Sequence, residues 1–201
     1  MVYRRILEWP NKVLKEVSRD LDLKNDINVI KDLLDTFNVI EGYGLSAPQI
    51  GFNVRAIVIN ESILSGDKSK QDKLLMINPI ITKEEENKFF KEACFSVPEY
   101  NFDIERSSKI KVEWLNATGE KENRWFEDYS AACIQHEIDH LDGILIIDKI
   151  SQLRKNMIIK KIKKSRIDKI KKSKLSKEEK SKRKSLATRR NNRKNRKKNK
   201  Q

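Results

Sequence analysis

Apolar residues recur every three or four positions between residues 25 and 41, which is the spacing of one face of an α-helix. They are Ile27, Ile30, Leu33, Leu34, Phe37 and Ile40. Asn25 or Asp26 can cap this helix at its start, because both side chains accept hydrogen bonds from backbone N–H groups. Gly42 and Gly44 follow the last apolar position. The pattern therefore predicts a helix over 25–41 that buries one face.

Four later segments have the β-branched or alternating composition of strands, and they are residues 54–60, 73–82, 109–116 and 122–127. The first two are rich in apolar residues, which predicts buried strands. Pro79 cannot donate a hydrogen bond to a neighbouring strand, so we expect a break or an edge position there. The polar residues 61–72 predict a turn, and residues 117–120 (ATGE) are typical of a hairpin between the last two strands.

Residues 128–141 (DYSAACIQHEIDHL) predict a second helix, with an acidic residue at its start and Gly143 after its end. The strands precede this helix without the regular alternation of strand and helix that builds a parallel sheet. We therefore expect an α+β fold in which mainly antiparallel sheets pack around this central helix.

Charge is distributed unevenly along the chain. Residues 151–201 hold 24 Lys and Arg against three acidic residues, a net charge of +21, whereas residues 1–150 carry −7. This contrast predicts a mildly acidic domain over 1–150. A basic amphipathic helix over 151–172 and a disordered basic tail over 173–201 would follow it.

Cysteine usage and hydropathy bear on where the protein acts. The chain has two cysteines, Cys94 and Cys133, which are too few for a disulfide framework and favour a reducing compartment. No segment approaches the roughly 18 apolar residues that a membrane span requires. The N-terminus shows no targeting signal. We therefore expect a cytoplasmic protein of a bacterium, or of the host cell if a bacteriophage encodes it.

Both histidines of the chain, His136 and His140, lie in one motif with the sequence HEIDH. Positions four apart share one face of a helix, so both imidazoles can bind one metal ion. Glu137, beside the first histidine, could then act on a water molecule as a general base. The alternative is a surface helix that carries two histidines by chance, which is disfavoured because the motif holds both histidines of the protein.

A catalytic metal site usually has three protein ligands and one open position. No histidine and few acids follow His140, which argues against the downstream ligand that zinc peptidases use. Cys94 is favoured as the third ligand, because a thiolate binds zinc and ferrous iron strongly. Cys133 is the rival. It lies only three residues before His136, where it would crowd the site, and packing in a core is its commoner role.

Residues 42–51 (GYGLSAPQIG) form a glycine-rich segment that lacks the Lys-Ser/Thr of a phosphate-binding loop. Within it, Gln49 could donate a hydrogen bond into an oxyanion hole. The alternative is a plain connection between a helix and a strand.

Together these three segments resemble the signature motifs of the peptide deformylase family. Residues 42–49 are similar to Gly-x-Gly-Leu-(Ala/Ser)-Ala-x-Gln, residues 92–96 to Glu-Gly-Cys-Leu-Ser, and residues 135–141 to Gln-His-Glu-x-Asp-His-Leu. The motifs occur in the same order and at fitting separations. The resemblance covers residues 1–150.

Three positions depart from the family pattern. Ala93 and Phe95 stand where Gly and Leu are usual, and Asn101 stands where an Arg often follows the second motif. Ala93 adds a methyl group beside the cysteine and confines the backbone there to negative φ. Phe95 enlarges the side chain but keeps the backbone N–H. We expect activity to persist with an altered substrate pocket.

The resemblance implies a metal-dependent enzyme that removes the formyl group from the N-terminal formylmethionine of nascent chains. It assigns metal binding to Cys94, His136 and His140. It assigns catalysis to Glu137, Gln49 and the backbone N–H of Phe95, with Glu92 in support. The candidate substrate-binding residues are Gly42, Tyr43, Gly44, Cys133 and Ile134. Ferrous iron is implied as the native ion, with zinc or nickel as substitutes.

The basic end of the chain predicts binding to polyanions, and the resemblance points to ribosomal RNA as the partner. A solvated tail without a partner is the alternative. Two other functions stay open, a generic zinc peptidase and a ribosome- or RNA-binding protein with a structural metal site. The presence of Glu137 and Gln49 favours catalysis over a purely structural metal.

Overall fold

The computed structural model describes residues 2–61, 73–168 and 171 of the chain. The chain divides into two compact units, Met1–Ile150 and Ser151–Gln201. Most of the predicted turn at 61–72 and the predicted disorder at 173–201 lie outside the described residues. None of the helices among the described residues is long and apolar enough to cross a membrane.

One antiparallel sheet of five strands forms the frame of the first unit, and its strands follow one another in sequence order. The strands are β1 (Gly44–Ser46), β2 (Ala56–Asn60), β3 (Lys73–Cys94), β4 (Val97–Leu115) and β5 (Lys121–Glu127). Each strand pairs with its neighbour in sequence, so every connection reverses the chain. The expected α+β fold with a mainly antiparallel sheet is therefore confirmed.

Two α-helices flank this sheet, α1 (Ile27–Phe37) and α2 (Asp128–Leu141), and residues 152–168 of the second unit form a further helix, α3. Short 3-10 helices cover Lys12–Lys15, Ala47–Ile50 and Ile146–Asp148. The bounds of α2 agree with the sequence prediction.

Helix α1 is shorter than the predicted 25–41. Asp26 occupies the cap position without a cap hydrogen bond, because its carboxylate binds the Arg19 guanidinium at 2.8 Å instead. The helix ends at Phe37, yet Ile40 still packs against the same hydrophobic cluster from the following turn. The apolar pattern therefore continues beyond the last helical residue, and the predicted end at residue 41 was wrong.

Strands β3 and β4 form a hairpin far longer than the segments 73–82 and 109–116 that the sequence indicated. The predicted break at Pro79 is a register shift between Ile77 and Ile80, and the strand continues beyond it. Asn78 takes a φ of 51° there, which lets the ladder bypass the proline. Residues 83–89 are exposed on both faces, so they carry no alternation that could have revealed the strand.

Strand β2 is buried on both faces and separates two hydrophobic clusters. Ala56 and Val58 belong to the cluster that contains the apolar face of α1. Ile57 and Ile59 belong to the cluster that contains the inner face of α2. Because successive side chains of a strand point to opposite faces, the two helices pack on opposite sides of the sheet.

Candidate metal centre and active site

The tip of the β3–β4 hairpin brings Cys94 to the metal-binding candidates. Cys94 pairs with Val97, and Phe95 and Ser96 form the tight turn between them. The Cys94 side chain is buried and lies next to α2. Ala93 lies in extended backbone opposite Asn101, so its methyl group needs no positive φ.

Helix α2 presents both histidines to this cysteine. The ring centroids of His136 and His140 are 5.1 Å apart, and Cys94 Sγ lies 3.2 Å from Nε2 of His140. One donor atom from each of the three residues lies within 4.8 Å of the others. A thiolate and two imidazoles suit zinc or ferrous iron, so the residues fit a divalent metal ion of this class.

Charges within the site favour the thiolate form of Cys94. Burial raises the pKa of the Cys94 thiol, but the charges of His140 and His136 outweigh it and hold that pKa well below its usual value. Burial lowers the pKa of His136, but the Cys94 thiolate raises it well above its usual value. Without a metal the site therefore favours the Cys94 thiolate, which is the ligand form of cysteine, and His136 gives up its proton when a metal ion binds.

Cys133 does not join the donor group. It is partly buried and packs against the hydrophobic cluster on the α2 side of the sheet. Burial raises the pKa of its thiol well above the usual value, and the nearby Glu137 carboxylate adds to the shift. A neutral thiol in a core is a poor ligand, so the structure agrees with the preference for Cys94.

Gln49 is held at the edge of the same site by its own local turn. Its Oε1 accepts hydrogen bonds from the backbone N–H and the hydroxyl of Ser46, both at 2.9 Å. This leaves its Nε2 directed towards Ser96 Oγ at 3.4 Å and Cys94 Sγ at 3.9 Å. The segment is therefore more than a plain connection, since it fixes an amide donor beside the candidate metal ligands.

Glu137 is buried in the site with one oxygen atom free of protein partners. Among the described residues, no side chain or backbone group bonds its Oε2. Burial raises the pKa of Glu137 by more than the positive charges of His136 and His140 lower it. Gly44 packs so closely on it that an added Cβ would stand 2.8 Å from Oε1.

Glu92 orients the first histidine from behind. Its Oε2 lies 2.9 Å from Nδ1 of His136, which turns the other ring nitrogen towards Cys94. The Arg106 guanidinium donates two hydrogen bonds to the same carboxylate, to Oε1 at 2.8 Å and to Oε2 at 3.0 Å. Arg106 also pairs with Asp139, inside the HEIDH motif, and Lys149 contacts Asp139 at 3.1 Å.

The sequence motif indicates that Glu92 lies near the site but does not reveal this network. Arg106 stands in a strand 14 residues after Glu92, and no spacing rule connects the two in sequence. Asp139 did carry a signal, since it lies three residues after His136 on the same helix and therefore near its face.

The candidate substrate-binding residues occupy different surroundings. Tyr43 is 59% exposed, whereas Ile134 is fully buried within the core cluster behind α2. Gly42 lies under the Phe95 ring, where an added Cβ would stand 2.6 Å from Cζ. Gly44 lies over Glu137 and Cys133. The structure thus brings the two glycines to the site and places Ile134 in the core.

A family model, sequence relatives and solved structures all match this chain. Residues 3–156 match the sequence model described as polypeptide deformylase. The peptide deformylase of Pelagibacter ubique is 39% identical over 167 residues, which cover 82% of this chain and 95% of that protein. The one from Bartonella tribocorum is 37% identical over 167 residues, which cover 82% of this chain and 93% of that protein.

Solved structures agree in fold. A peptide deformylase from Legionella pneumophila matches with a TM-score of 0.74 and 32% identity, covering 84% of this chain and 98% of that one. A peptide deformylase from Ehrlichia chaffeensis in complex with actinonin also matches with a TM-score of 0.74, at 31% identity, covering 82% of this chain and 98% of that one. The chain therefore belongs to the polypeptide deformylase family, metal-dependent enzymes that remove formyl groups from peptides.

Proposed function

We propose that the first unit removes the formyl group from formylmethionine at the N-terminus of nascent proteins with a ferrous ion bound by Cys94, His136 and His140. The observation that carries this assignment is the convergence of these three donors within 4.8 Å of one another beside the buried Glu137. Zinc or nickel would substitute for iron, since all three ions accept sulfur and imidazole ligands.

When bound, the divalent ion supplies Lewis-acid chemistry, polarising the formyl carbonyl and making a water molecule a stronger nucleophile. Cys94, His136 and His140 would hold this ion. Glu92 and Arg106 keep the His136 ring in its ligating orientation.

Glu137 acts as the general base and then as the general acid. Its free Oε2 accepts a proton from the attacking water and afterwards delivers that proton to the leaving amine, with formate as the second product. The raised pKa of Glu137 suits both steps, because the carboxylate must take up and release the same proton.

Two donors stabilise the oxyanion that forms when water adds to the formyl carbon. The first is the Gln49 amide, which the Ser46 contacts already orient. The second is the backbone N–H of Phe95 in the hairpin turn. Donors fixed before the reaction need no reorganisation when the charge develops, which is how such groups accelerate acyl transfer.

The formylmethionine side chain enters an apolar pocket beside α2. We assign Gly42, Tyr43, Gly44 and Cys133 to its border, and Ile134, which is buried in the core cluster that packs against α2, to its support. The ring of Phe95 stands at the rim, 36% exposed, so it shapes the pocket where the family usually has leucine.

The second unit docks the enzyme to ribosomal RNA in the bacterial cytoplasm, or in the cytoplasm of the host if a phage encodes it. Its charge of +21 over residues 151–201 supports this role, because each phosphate contact releases counterions. Ribosome affinity should fall steeply with salt. Deletion of residues 173–201 should weaken it at low salt, and unchanged binding would favour a solvated tail.

The decisive assay is formate release from formyl-Met peptides by protein loaded with ferrous iron or nickel. The proposal predicts turnover with the formylated peptide and none with its unformylated counterpart. Cleavage of the unformylated peptide would indicate a generic peptidase instead. If the folded, metal-loaded protein released no formate, an RNA-binding protein with a structural metal site would be the better interpretation.

A further inference from the structure

The segment from Leu7 to Ser18, here called the N-terminal strap, contacts all three motif segments through its backbone. The N–H of Leu7 donates to the Gln49 carbonyl at 2.7 Å, and the N–H of Trp9 donates to the Ser96 carbonyl at 2.9 Å. The N–H of Ser18 donates to the Leu141 carbonyl at 2.7 Å. One short strap therefore bonds once to each segment that supplies a functional group.

Each of these bonds lies close to the chemistry. The first is made at Gln49 itself, whose side chain is the amide donor. The second is made in the hairpin turn, two residues after Cys94 and next to Phe95. The third is made at the carbonyl of the residue that follows His140. A shift of any one acceptor would therefore move a metal ligand or an oxyanion donor.

The strap is itself anchored between these contacts. Leu14 is fully buried, and the Lys15 ammonium pairs with Asp148 at 2.6 Å. Gly143, with a φ of 69°, packs on the strap so closely that an added Cβ would stand 2.7 Å from the Lys15 carbonyl oxygen. This contact ties the strap to the turn that follows α2, three residues beyond His140.

We propose that the N-terminal strap is a positioning element that sets the distances between the Gln49 amide, the hairpin turn and the end of α2. This inference rests on the proposed roles of Gln49, Cys94 and His140. The three motif segments lie far apart in sequence, and one continuous segment bonds to all of them. Groups bonded directly to metal ligands change metal affinity or activity about 10- to 100-fold when removed, and we expect the lower end of that range for bonds to the neighbouring backbone.

The strap bonds can be removed one at a time without changing any side chain. Replacing Leu7, Trp9 or Ser18 by the matching α-hydroxy acid in the full-length chain converts the N–H donor into an ester oxygen. The matched control is the same exchange at Lys12, an exposed residue at the first position of a 3-10 helix, where the N–H has no helical partner. Each protein is loaded with nickel.

Two readouts separate positioning from general stability. The esters at Leu7 and Trp9 should lower kcat about 10-fold with KM little changed, because they act on the oxyanion donors. The ester at Ser18 should speed metal loss to a chelator about 10-fold, because it acts on the end of α2 next to His140. The Lys12 ester should match the unmodified protein in both.

The proposal is overturned if all three esters match the Lys12 control, or if kcat and metal loss change together in proportion to melting temperature. If the ester at Leu7 or Ser18 does not fold, a proline at that position removes the backbone N–H instead. The alanine variant, which keeps the N–H, is then the control, so Leu7→Pro is compared with Leu7→Ala and Ser18→Pro with Ser18→Ala. Failure of the proposed function is a separate result, since the unmodified protein would then release no formate, while the metal-loss comparison would still be measurable.

Discussion

Two functional residues of helix α2, His136 and Glu137, differ in their surroundings. His136 is fixed by Glu92, which Arg106 in turn holds through two hydrogen bonds. Glu137 Oε2, by contrast, is buried without a hydrogen-bond partner among the described residues. The same helix thus combines a fully satisfied polar network with polar atoms left free.

This difference separates stability from chemistry. Glu137 Oε2 makes no hydrogen bond to the described part of the chain that a substitution could remove. The network of Glu92, Arg106 and His136 satisfies its buried charges and contributes both stability and ring orientation. Substitution of Glu137 should therefore remove activity at little cost in stability, whereas substitutions within that network should lower the melting temperature first.

The largest effect on activity is expected from Glu137→Gln. Removing the general base should lower kcat roughly 100- to 10,000-fold, because the amide cannot accept a proton. Nickel content should stay the same, since Glu137 is not among the donors, and the melting temperature should not fall. Formate release, metal analysis and thermal melting on one preparation test all three points. A large drop in melting temperature would break the comparison.

The largest effect on stability is expected from Arg106→Met. The Arg106 side chain is 2% exposed, and its loss removes the guanidinium that the Glu92 and Asp139 carboxylates share. Among the described residues, this leaves Glu92 with His136 alone and Asp139 with Lys149 alone. Breaking a buried ion pair in this way costs about 3–5 kcal/mol. Urea unfolding measures the change in the free energy of unfolding.

Lys109→Met is the matched control for Arg106, because Lys109 also pairs with two carboxylates, Glu85 and Glu127. Its side chain is 39% exposed, against 2% for Arg106, and ion pairs that water reaches contribute little. A similar loss of stability in both variants would show that burial of the Arg106 network is not what matters.

A smaller effect is expected when the contact between Gly44 and Glu137 is disturbed. In Gly44→Ala the new Cβ would meet Glu137 Oε1 at 2.8 Å and Cγ at 2.9 Å, so the carboxylate must shift. Displacement of a catalytic group by about 1 Å can lower kcat up to about 100-fold. Steady-state kinetics should show the change in kcat rather than in KM.

Gly42→Ala provides the control for Gly44→Ala. Its Cβ would meet the far end of the Phe95 ring, which can move aside. We expect a change mainly in KM, because Phe95 stands at the rim of the pocket. If Gly42→Ala lowered kcat as much as Gly44→Ala, the close approach to Glu137 would not be the cause.

The smallest of the four effects is expected from Glu92→Gln, which keeps the shape but removes the charge that holds His136. Metal affinity should fall about 10-fold or somewhat more, as for other groups that orient metal-binding histidines. Competition with a chelator measures it. An unchanged affinity would show that packing alone fixes the His136 ring.

The sequence predicted the parts of this molecule that depend on local patterns. Helix α2 is indicated by the acidic residue at its start and Gly143 after its end, β2 by its run of β-branched apolar residues, and the HEIDH spacing places two histidines on one face. The outer half of the long hairpin escaped prediction, because residues 83–89 are exposed on both faces and show no alternation. The end of α1 was wrong because Ile40 continues the apolar pattern from a turn.

The site followed a similar division. The choice of Cys94 over Cys133 came from ligand chemistry and from the resemblance between motifs, and the structure brings Cys94 to the histidines. The Arg106 network joins strands and a helix that are distant in sequence, and the strap contacts use backbone N–H groups that no side-chain pattern reveals. Such contacts depend on the tertiary fold.

The most direct test of the account is the absorption spectrum of the protein loaded with cobalt(II), compared between Cys94→Ser and Cys133→Ser. A thiolate ligand gives a charge-transfer band that an alcohol does not. The account predicts that the band disappears in Cys94→Ser and persists in Cys133→Ser, because only the Cys94 sulfur lies with the two histidines. A band that survives in Cys94→Ser and vanishes in Cys133→Ser would contradict it.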